Sequence, residues 1–263
     1  MPEGHTIHRI ATDHLKFLRG RPVAVSSPQG RFAAGAALVD GARLLNIEAH
    51  GKHLFYRWDN GLVGHVHLGL FGRFWVHRGS PSADAATVRM RLAVPKATID
   101  LTGPTECAIG TLEDRDRILS RLGPDPLRDD ADPQLAFSTI VRRAAPIGQL
   151  LLEQKVISGV GNVYRAEALF LTGIHPARSG RAISRTDFEQ LWSTIVAMLR
   201  KGFAENRIVT IDPDELDFPS GPTRRGETTY VYHRDVCLRC GTPIRTIELG
   251  GRPCYFCPTC QPA

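Results

Sequence analysis

Lysine is scarce in this chain of 263 residues: of 33 basic side chains only five are Lys (positions 16, 52, 96, 155 and 201), leaving 33 − 5 = 28 Arg. No run of about 18 apolar residues is present that could span a bilayer, and the N-terminus lacks the basic start and apolar core of a secretory signal. The expectation is therefore a cytoplasmic protein with no membrane partner. Cysteine is sparse as well, six in all, and four of these form two Cys-x-x-Cys pairs within the last 27 residues, at 237/240 and 257/260, which argues against a disulfide framework. What remains is an ordered composition, 42% hydrophobic and 23% charged, long enough to bury one or two cores. Basic residues exceed acidic ones by 33 − 27 = 6 and the sequence pI is about 9.2, which favours a polyanionic partner. The planar fork of Arg suits phosphate oxygens; a GC-rich genome is an equally good source of the Arg bias.

Hydrophobic spacing divides the chain. Residues 5–19 place Ile7, Ile10, His14, Leu15 and Leu18 at helical intervals, with Gly20 as a stop. From Val23 to Leu112 the pattern becomes short alternating runs broken by Gly, which predicts antiparallel strands joined by tight turns. The stretch Gly123–Pro133 concentrates Pro and Asp and reads as an extended, solvated linker. Beyond it, 134–144, 146–158, 163–172 and 186–202 read as helices, and 210–225 gives weak signals. The domains expected are 1–122, a linker at 123–133, a helical domain at 134–225 and a small module at 226–263.

Three local patterns carry chemistry. Cys237-Leu-Arg-Cys240 and Cys257-Pro-Thr-Cys260 are two knuckles that can hold one structural zinc ion, and the spacer between them, turning at Gly250-Gly251, predicts a β-hairpin. Cys254 with Cys257 forms a competing Cys-x-x-Cys, so the ligand register stays open. Gly159-Val-Gly-Asn162 lies between two amphipathic segments; with Asn162 as N-cap, the following amides and the helix dipole suit a phosphate, and an ordinary helical hairpin is the plainer reading. Third, Met1-Pro2-Glu3 has a small second residue, so removal of Met1 exposes a secondary α-amine. An α-amine titrates near about 7.7–8.0 against about 10.4 for lysine, so much more of it is free base at neutral pH. An iminium formed on it is charged without an added proton, and Glu3 can move one.

Together, Pro2-Glu3-Gly4, Gly51-Lys52-His53-Leu54, the segment Gln154–Asn162 and a terminal ribbon with Arg252 five residues before its third zinc cysteine resemble the formamidopyrimidine-DNA glycosylase and endonuclease VIII family. The resemblance runs from end to end. It implies an α+β, multi-domain protein: an N-terminal β-sandwich with flanking helices, a helix-two-turns-helix domain and a zinc ribbon, with DNA held between the lobes. It further implies that Pro2 is the nucleophile, Glu3 the acid/base and Lys52 an ammonium near phosphate or sugar, while Asn162, Arg252 and Lys155 contact DNA. The loop His67–Arg73 resembles the family's insertion segment, which makes Leu70 and Phe71 the wedge that fills the space of a flipped base; Gly69 stands where the family often has a larger residue.

The implied activity is that of a bifunctional DNA glycosylase and AP lyase of base excision repair, acting through a Pro2 Schiff base and β,δ-elimination on damaged double-stranded DNA as a monomer. The opening Pro-Glu-Gly-His-Thr is closer to the endonuclease VIII branch, so oxidised pyrimidines are the expected lesions; a formamidopyrimidine or 8-oxoguanine preference is the alternative. Two rivals need no free amine: a non-catalytic zinc-ribbon DNA-binding protein, and a metal-dependent nuclease built on His50, His53, His65, His67 and His77. The second lacks a carboxylate arranged with the histidines.

Overall fold

A computed structural model describes residues 2–78, 84–212 and 228–263; the weakly patterned stretch beyond Asp212 therefore lies largely outside the described residues. Contacts divide the chain into two compact units, residues 1–3 with 7–121, and residues 4–6 with 122–263.

The first unit is a sandwich of two four-stranded antiparallel sheets. The elements run α1 (Gly4–Leu18), β1 (Ala24–Ser26), α2 (Ala33–Val39), β2 (Leu44–His50), β3 (His53–Trp58), β4 (Val63–His67), β5 (Arg73–His77), β6 (Val88–Val94), β7 (Ala97–Thr102), β8 (Glu106–Gly110) and α3 (Leu112–Leu119). One sheet has the order β1-β6-β7-β5 and the other β2-β3-β4-β8. Alternation along the strands supplies the shared core: Leu54, Tyr56 and Val66 from one sheet meet Leu92, Ile99 and Leu101 from the other. Each such buried side chain stabilises the fold by about 1.5–3 kcal/mol. Helix α1 adds Ile7 and Leu18, as its spacing predicts, together with buried His14, whose Nδ1 lies 2.9 Å from the Tyr56 hydroxyl. Helix α2 appears where only strands were expected, and α3 begins where that region ends. Helix α2 is about two alanine-rich turns without the polar face that would mark a period, and α3 is set by a Thr111–Asp114 capping box.

The second unit holds α4 (Pro133–Val141), α5 (Ile147–Leu150), α6 (Asn162–Leu171), α7 (Arg185–Glu205), β9 (Arg245–Leu249) and β10 (Arg252–Phe256). Its core gathers Leu150, Ile157, Tyr164, Leu169, Phe188, Leu191 and Leu199, and the ribbon contributes Leu249 and Cys254 to it. The predicted helix at 146–158 shrinks to α5 followed by turns. The cause is Gln154, whose amide donates to the carbonyls of Leu152 (3.1 Å) and Val160 (2.9 Å) while its oxygen accepts from Gly159 N (2.9 Å), folding the chain back on itself. Nor is the linker solvated throughout: Gly123 N donates to Gln154 O (2.8 Å), Ser158 N donates to Pro124 O (3.0 Å), and Asp125 is buried. Backbone pairing with the 154–158 turn anchors its first half.

Glu167 on α6 is a fully buried carboxylate that accepts from Tyr230 N (2.7 Å), Val231 N (2.9 Å), Tyr232 N (2.9 Å) and the Thr210 hydroxyl. Four donors replace its lost hydration, which is what a buried acid requires. Among the described residues no helix is long and apolar enough to cross a membrane.

Candidate active site and zinc centre

Pro2 is half-buried and precedes Glu3, the N-cap of α1. Glu3 occupies the N-cap position with φ −117°, is fully buried, and accepts Ile7 N at 3.3 Å through its carbonyl. Pro2 thus stands at the N-terminal, positive end of a fifteen-residue helix, beside the buried side chain of Glu3.

The three residues that follow are held within the second unit. Gly4 N donates to Gly159 O at 2.8 Å, and a Cβ on Gly4 would stand 3.0 Å from Gly159 Cα, so glycine is required by the close approach. His5 packs edge-on against Tyr164 at 5.3 Å between centroids, and a side chain at Gly202 would overlap the Tyr164 hydroxyl. Burial pushes His5 down to about 4, so it is neutral at physiological pH.

Lys52 lies in the first unit in the two-residue turn between β2 and β3, closed by the pair His50–His53; Gly51 before it has φ +56°, the positive value that such hairpin turns use at their first position. Register brings His53 opposite His67 and Phe55 opposite His65, and His53 Nδ1 lies 2.9 Å from His65 Nε2. Burial first, then neighbouring imidazoles and Lys52, push His53 down to about 3, and burial with His67 pushes His65 to about 4. His53 and His65, near Lys52, are accordingly neutral at physiological pH.

Leu70 and Phe71 sit at the tip of the loop that crosses from one sheet to the other between β4 and β5. They are 55% and 81% exposed, while Leu68 beside them is buried. Gly72 N donates to Leu68 O at 3.0 Å, Gly69 has φ +66°, and a side chain at Gly69 would overlap the Thr105 hydroxyl. The larger residue that the family often carries at position 69 has no room here.

In the second unit the structure joins Asn162 and Arg252 through a residue that pattern reading missed. Asn162 is the first residue of α6 and Gly161 is its N-cap, a correction to the expected cap. Its side chain is engaged elsewhere: the amide donates to Pro253 O at 3.1 Å and the oxygen accepts from Arg165. Arg165, with no exposed surface, donates to the carbonyls of Gly148 (3.1 Å), Leu249 (2.9 Å), Arg252 (3.3 Å) and Pro253 (3.1 Å), tying α5 and α6 to the ribbon hairpin. No sequence signal distinguished this Arg from 27 others, because buried arginine is rare. Gln154 stood inside a quoted motif, and its place five residues before Gly159 was the available clue. Lys155 stays on the surface 3.5 Å from Glu153.

The four cysteines converge. All their Sγ atoms lie within 4.8 Å of one another, with Cys240–Cys257 at 3.4 Å, Cys240–Cys260 at 3.6 Å and Cys237–Cys260 at 3.9 Å. A tetrahedral Zn–S₄ site with bonds of about 2.3 Å needs S···S separations of about 3.8 Å, so the donor set and its spacing fit one structural zinc ion. Cys254 is fully buried in the helical core and is no ligand, which settles the register. Gly250 and Gly251 both have positive φ (+62° and +69°), closing the predicted hairpin of β9 and β10.

Comparison with known proteins matches residues 1–106 to the formamidopyrimidine-DNA glycosylase N-terminal domain, 122–212 to the formamidopyrimidine-DNA glycosylase H2TH domain, and 234–263 to a zinc finger found in FPG and IleRS. The chain is 45% identical to Endonuclease 8 1 of Mycobacterium tuberculosis across 99% of this chain and 100% of that protein. It is 30% identical to the formamidopyrimidine-DNA glycosylase of Geobacter sulfurreducens, covering 99% and 98%. Its fold is similar to that of Lactococcus lactis Fpg, solved in complex with DNA containing an abasic site, with a TM-score of 0.82 at 20% identity over 99% of this chain and 100% of that one.

Proposed function

This chain belongs to the formamidopyrimidine-DNA glycosylase and endonuclease VIII family and is a DNA glycosylase and AP lyase of base excision repair; on that premise we propose that Pro2, exposed by loss of Met1, is its nucleophile. The observation that carries the proposal is the placing of Pro2 at the N-terminus of α1 with the buried carboxylate of Glu3 next to it. The positive helix end favours the free-base form of the amine, the form that attacks.

The Pro2 nitrogen forms a bond to C1′ of the damaged nucleotide as the base leaves with the electrons of its glycosidic bond and takes up a proton. The sugar ring then opens as Glu3 passes to O4′ the proton released by the Pro2 nitrogen, and the C1′ iminium results. As an electron sink it acidifies C2′; loss of that proton expels the 3′ phosphate, a second elimination expels the 5′ phosphate, and water hydrolyses the iminium to release the amine. Lys52 stands by as a cation for phosphate or sugar. Because an intrahelical base is out of reach, the nucleotide is flipped, and Leu70 with Phe71 fills the gap. Asn162, Arg252 and Lys155 hold the backbone without reading sequence. Asn162 does so by trading its Pro253 contact or by ordering Arg252 through Arg165.

Residues 1–122 form the catalytic domain in this reading, 134–225 the DNA-binding domain and 226–263 the ribbon; the protein works as a monomer on the bacterial chromosome in the cytoplasm. Oxidised pyrimidines are the preferred lesions, a choice supported by the Pro-Glu-Gly-His-Thr start and by 45% identity to an Endonuclease 8 against 28–32% to several formamidopyrimidine-DNA glycosylases.

Borohydride trapping tests the chemistry. Processed, untagged protein on a duplex with one abasic site or one oxidised pyrimidine gives a covalent band, Met1-retaining protein binds but gives none, and Pro2→Gly gives less. Equal trapping by the Met1-retaining protein would remove Pro2 from the mechanism.

A further inference from the structure

Helix α3 lies against the face of the β2-β3-β4-β8 sheet that carries Phe55, Val63 and His65, yet none of its residues is buried. The floor beneath it explains this. Strands β4 and β8 pair Val63 with Gly110 and His65 with Ala108, so half of the floor has little or no side chain. Ile118 and the stem of Arg115 do not fill the space, and a mainly apolar cavity of about 150 Å³ remains, partly open to solvent. One wall is a ring stack, Phe55 on His65, with centroids 5.1 Å apart and planes at 16°. His65 is in turn hydrogen-bonded to His53, the residue after Lys52.

We propose that this cavity is a binding site for a small, neutral, single-ring aromatic molecule that packs beside His65, and that its occupancy reaches His53 through the His65–His53 hydrogen bond. The size fits, since apolar cavities of about 150 Å³ accept benzene-sized rings. Charge is excluded because the rim is already paired. Arg115 is held by Glu48 at 2.5 and 2.8 Å and by Asp116 at 2.6 Å, and Asp114 accepts from Thr111 N at 3.0 Å and meets Arg117 at 3.1 Å. Those pairs leave no free countercharge in the wall, and His65 itself is neutral. A free nucleobase, with several polar edge atoms, would leave most of them without partners, a costly burial. Binding here is independent of any role assigned to Lys52 or Pro2.

The test is a titration of the zinc-loaded full chain with fluorobenzene, followed by the ring resonances of the histidines. The expected result is a saturable shift at His65 and a smaller one at His53, with none at His175, whose ring packs on Phe256 in the second unit. Ala108→Leu, filling the floor, and Ile118→Trp, filling from the helix, each weaken binding by about tenfold or more while zinc content and abasic-site cleavage stay unchanged. Absence of a saturable shift in the unsubstituted protein overturns the site, as does undiminished binding in either folded variant. Uracil binding as tightly as fluorobenzene overturns the assigned class.

Discussion

Glycines govern two segments of this protein to opposite ends. In the first unit, Gly69 and Gly72 shape a loop that throws Leu70 and Phe71 into solvent, 55% and 81% exposed, where apolar side chains gain nothing in the folded state. In the second unit, Gly159 and Gly161 shape a turn in which every residue from 156 to 162 is buried, and whose polar groups are met by Gln154 and Arg165. The first is an instrument presented outward, the second a frame that holds backbone. If the contrast is real, damage to the frame costs stability and takes function with it, whereas damage to the loop costs function alone.

The largest effect is expected at the zinc ion, the outermost brace of the frame. Apparent zinc affinities of small modules are worth about 10–16 kcal/mol, and the ribbon around Cys237, Cys240, Cys257 and Cys260 has little apolar core of its own. Chelation or Cys257→Ala should unfold residues 237–260 and abolish DNA binding, read by zinc release and hydrogen exchange; protection that survives zinc loss would show that Leu249, Cys254 and the hydrogen bonds from Arg165 anchor the hairpin without the ion.

Next comes Arg165. Replacing it by Met leaves the carbonyls of Gly148, Leu249 and Pro253 buried without their charged donor, for a loss of about 3–5 kcal/mol. Urea unfolding of the second unit should show it. A loss below about 1 kcal/mol would mean that the frame is held by packing, with Arg165 incidental.

Acid should separate the units by a smaller margin. Burial holds His14 and His53 near about 3 and His65 near about 4 in the first unit, and His5 near about 4 in the second. Each is depressed below the unfolded value of about 6.5, so the unfolded chain binds more protons below that pH. Stability is full above about pH 6.5 and falls as pH drops toward the folded values, with four such groups in the first unit, burial-lowered His67 included, against one in the second. Hydrogen exchange between pH 7 and pH 4.5 should find protection lost sooner from β3 and β4 than from α6 and α7; the reverse order would break the comparison.

How far the sequence foretold this arrangement depends on the kind of signal. Ligand cysteines, the Gly250-Gly251 hairpin and the long α7 declare themselves through spacing and propensity, which are local. Helix α2 does not, because seven mainly small, apolar residues have no polar face to set a period, and α5 was overdrawn because a single glutamine side chain, Gln154, ends it. The cap at Asn162 was misplaced because Arg165 and Pro253, the latter 91 positions away, claim its side chain. The family motifs named Pro2, Glu3 and Lys52 without showing why Glu3 is buried or why His53 and His65 near Lys52 are neutral. Those are properties of packing.

The smallest stability change should accompany the clearest functional one. Phe71→Ala removes a ring that is 81% exposed and should alter stability by no more than about 0.5 kcal/mol, while excision of a base from intact duplex falls by about tenfold, an unfilled gap costing about 1–2 kcal/mol of flipped state. Trapping on a duplex that already contains an abasic site should fall less, since no base must be displaced. Gly69→Ala is the sharper partner, for it leaves both wedge side chains in place but adds a methyl that overlaps the Thr105 hydroxyl at a φ of +66°. If presentation of the wedge matters as much as its bulk, Gly69→Ala slows excision at least as much as Phe71→Ala. Normal excision by both variants in a stopped-flow base-release assay would show that the exposed apolar tip is not the wedge, and that the gap is filled from elsewhere in the chain.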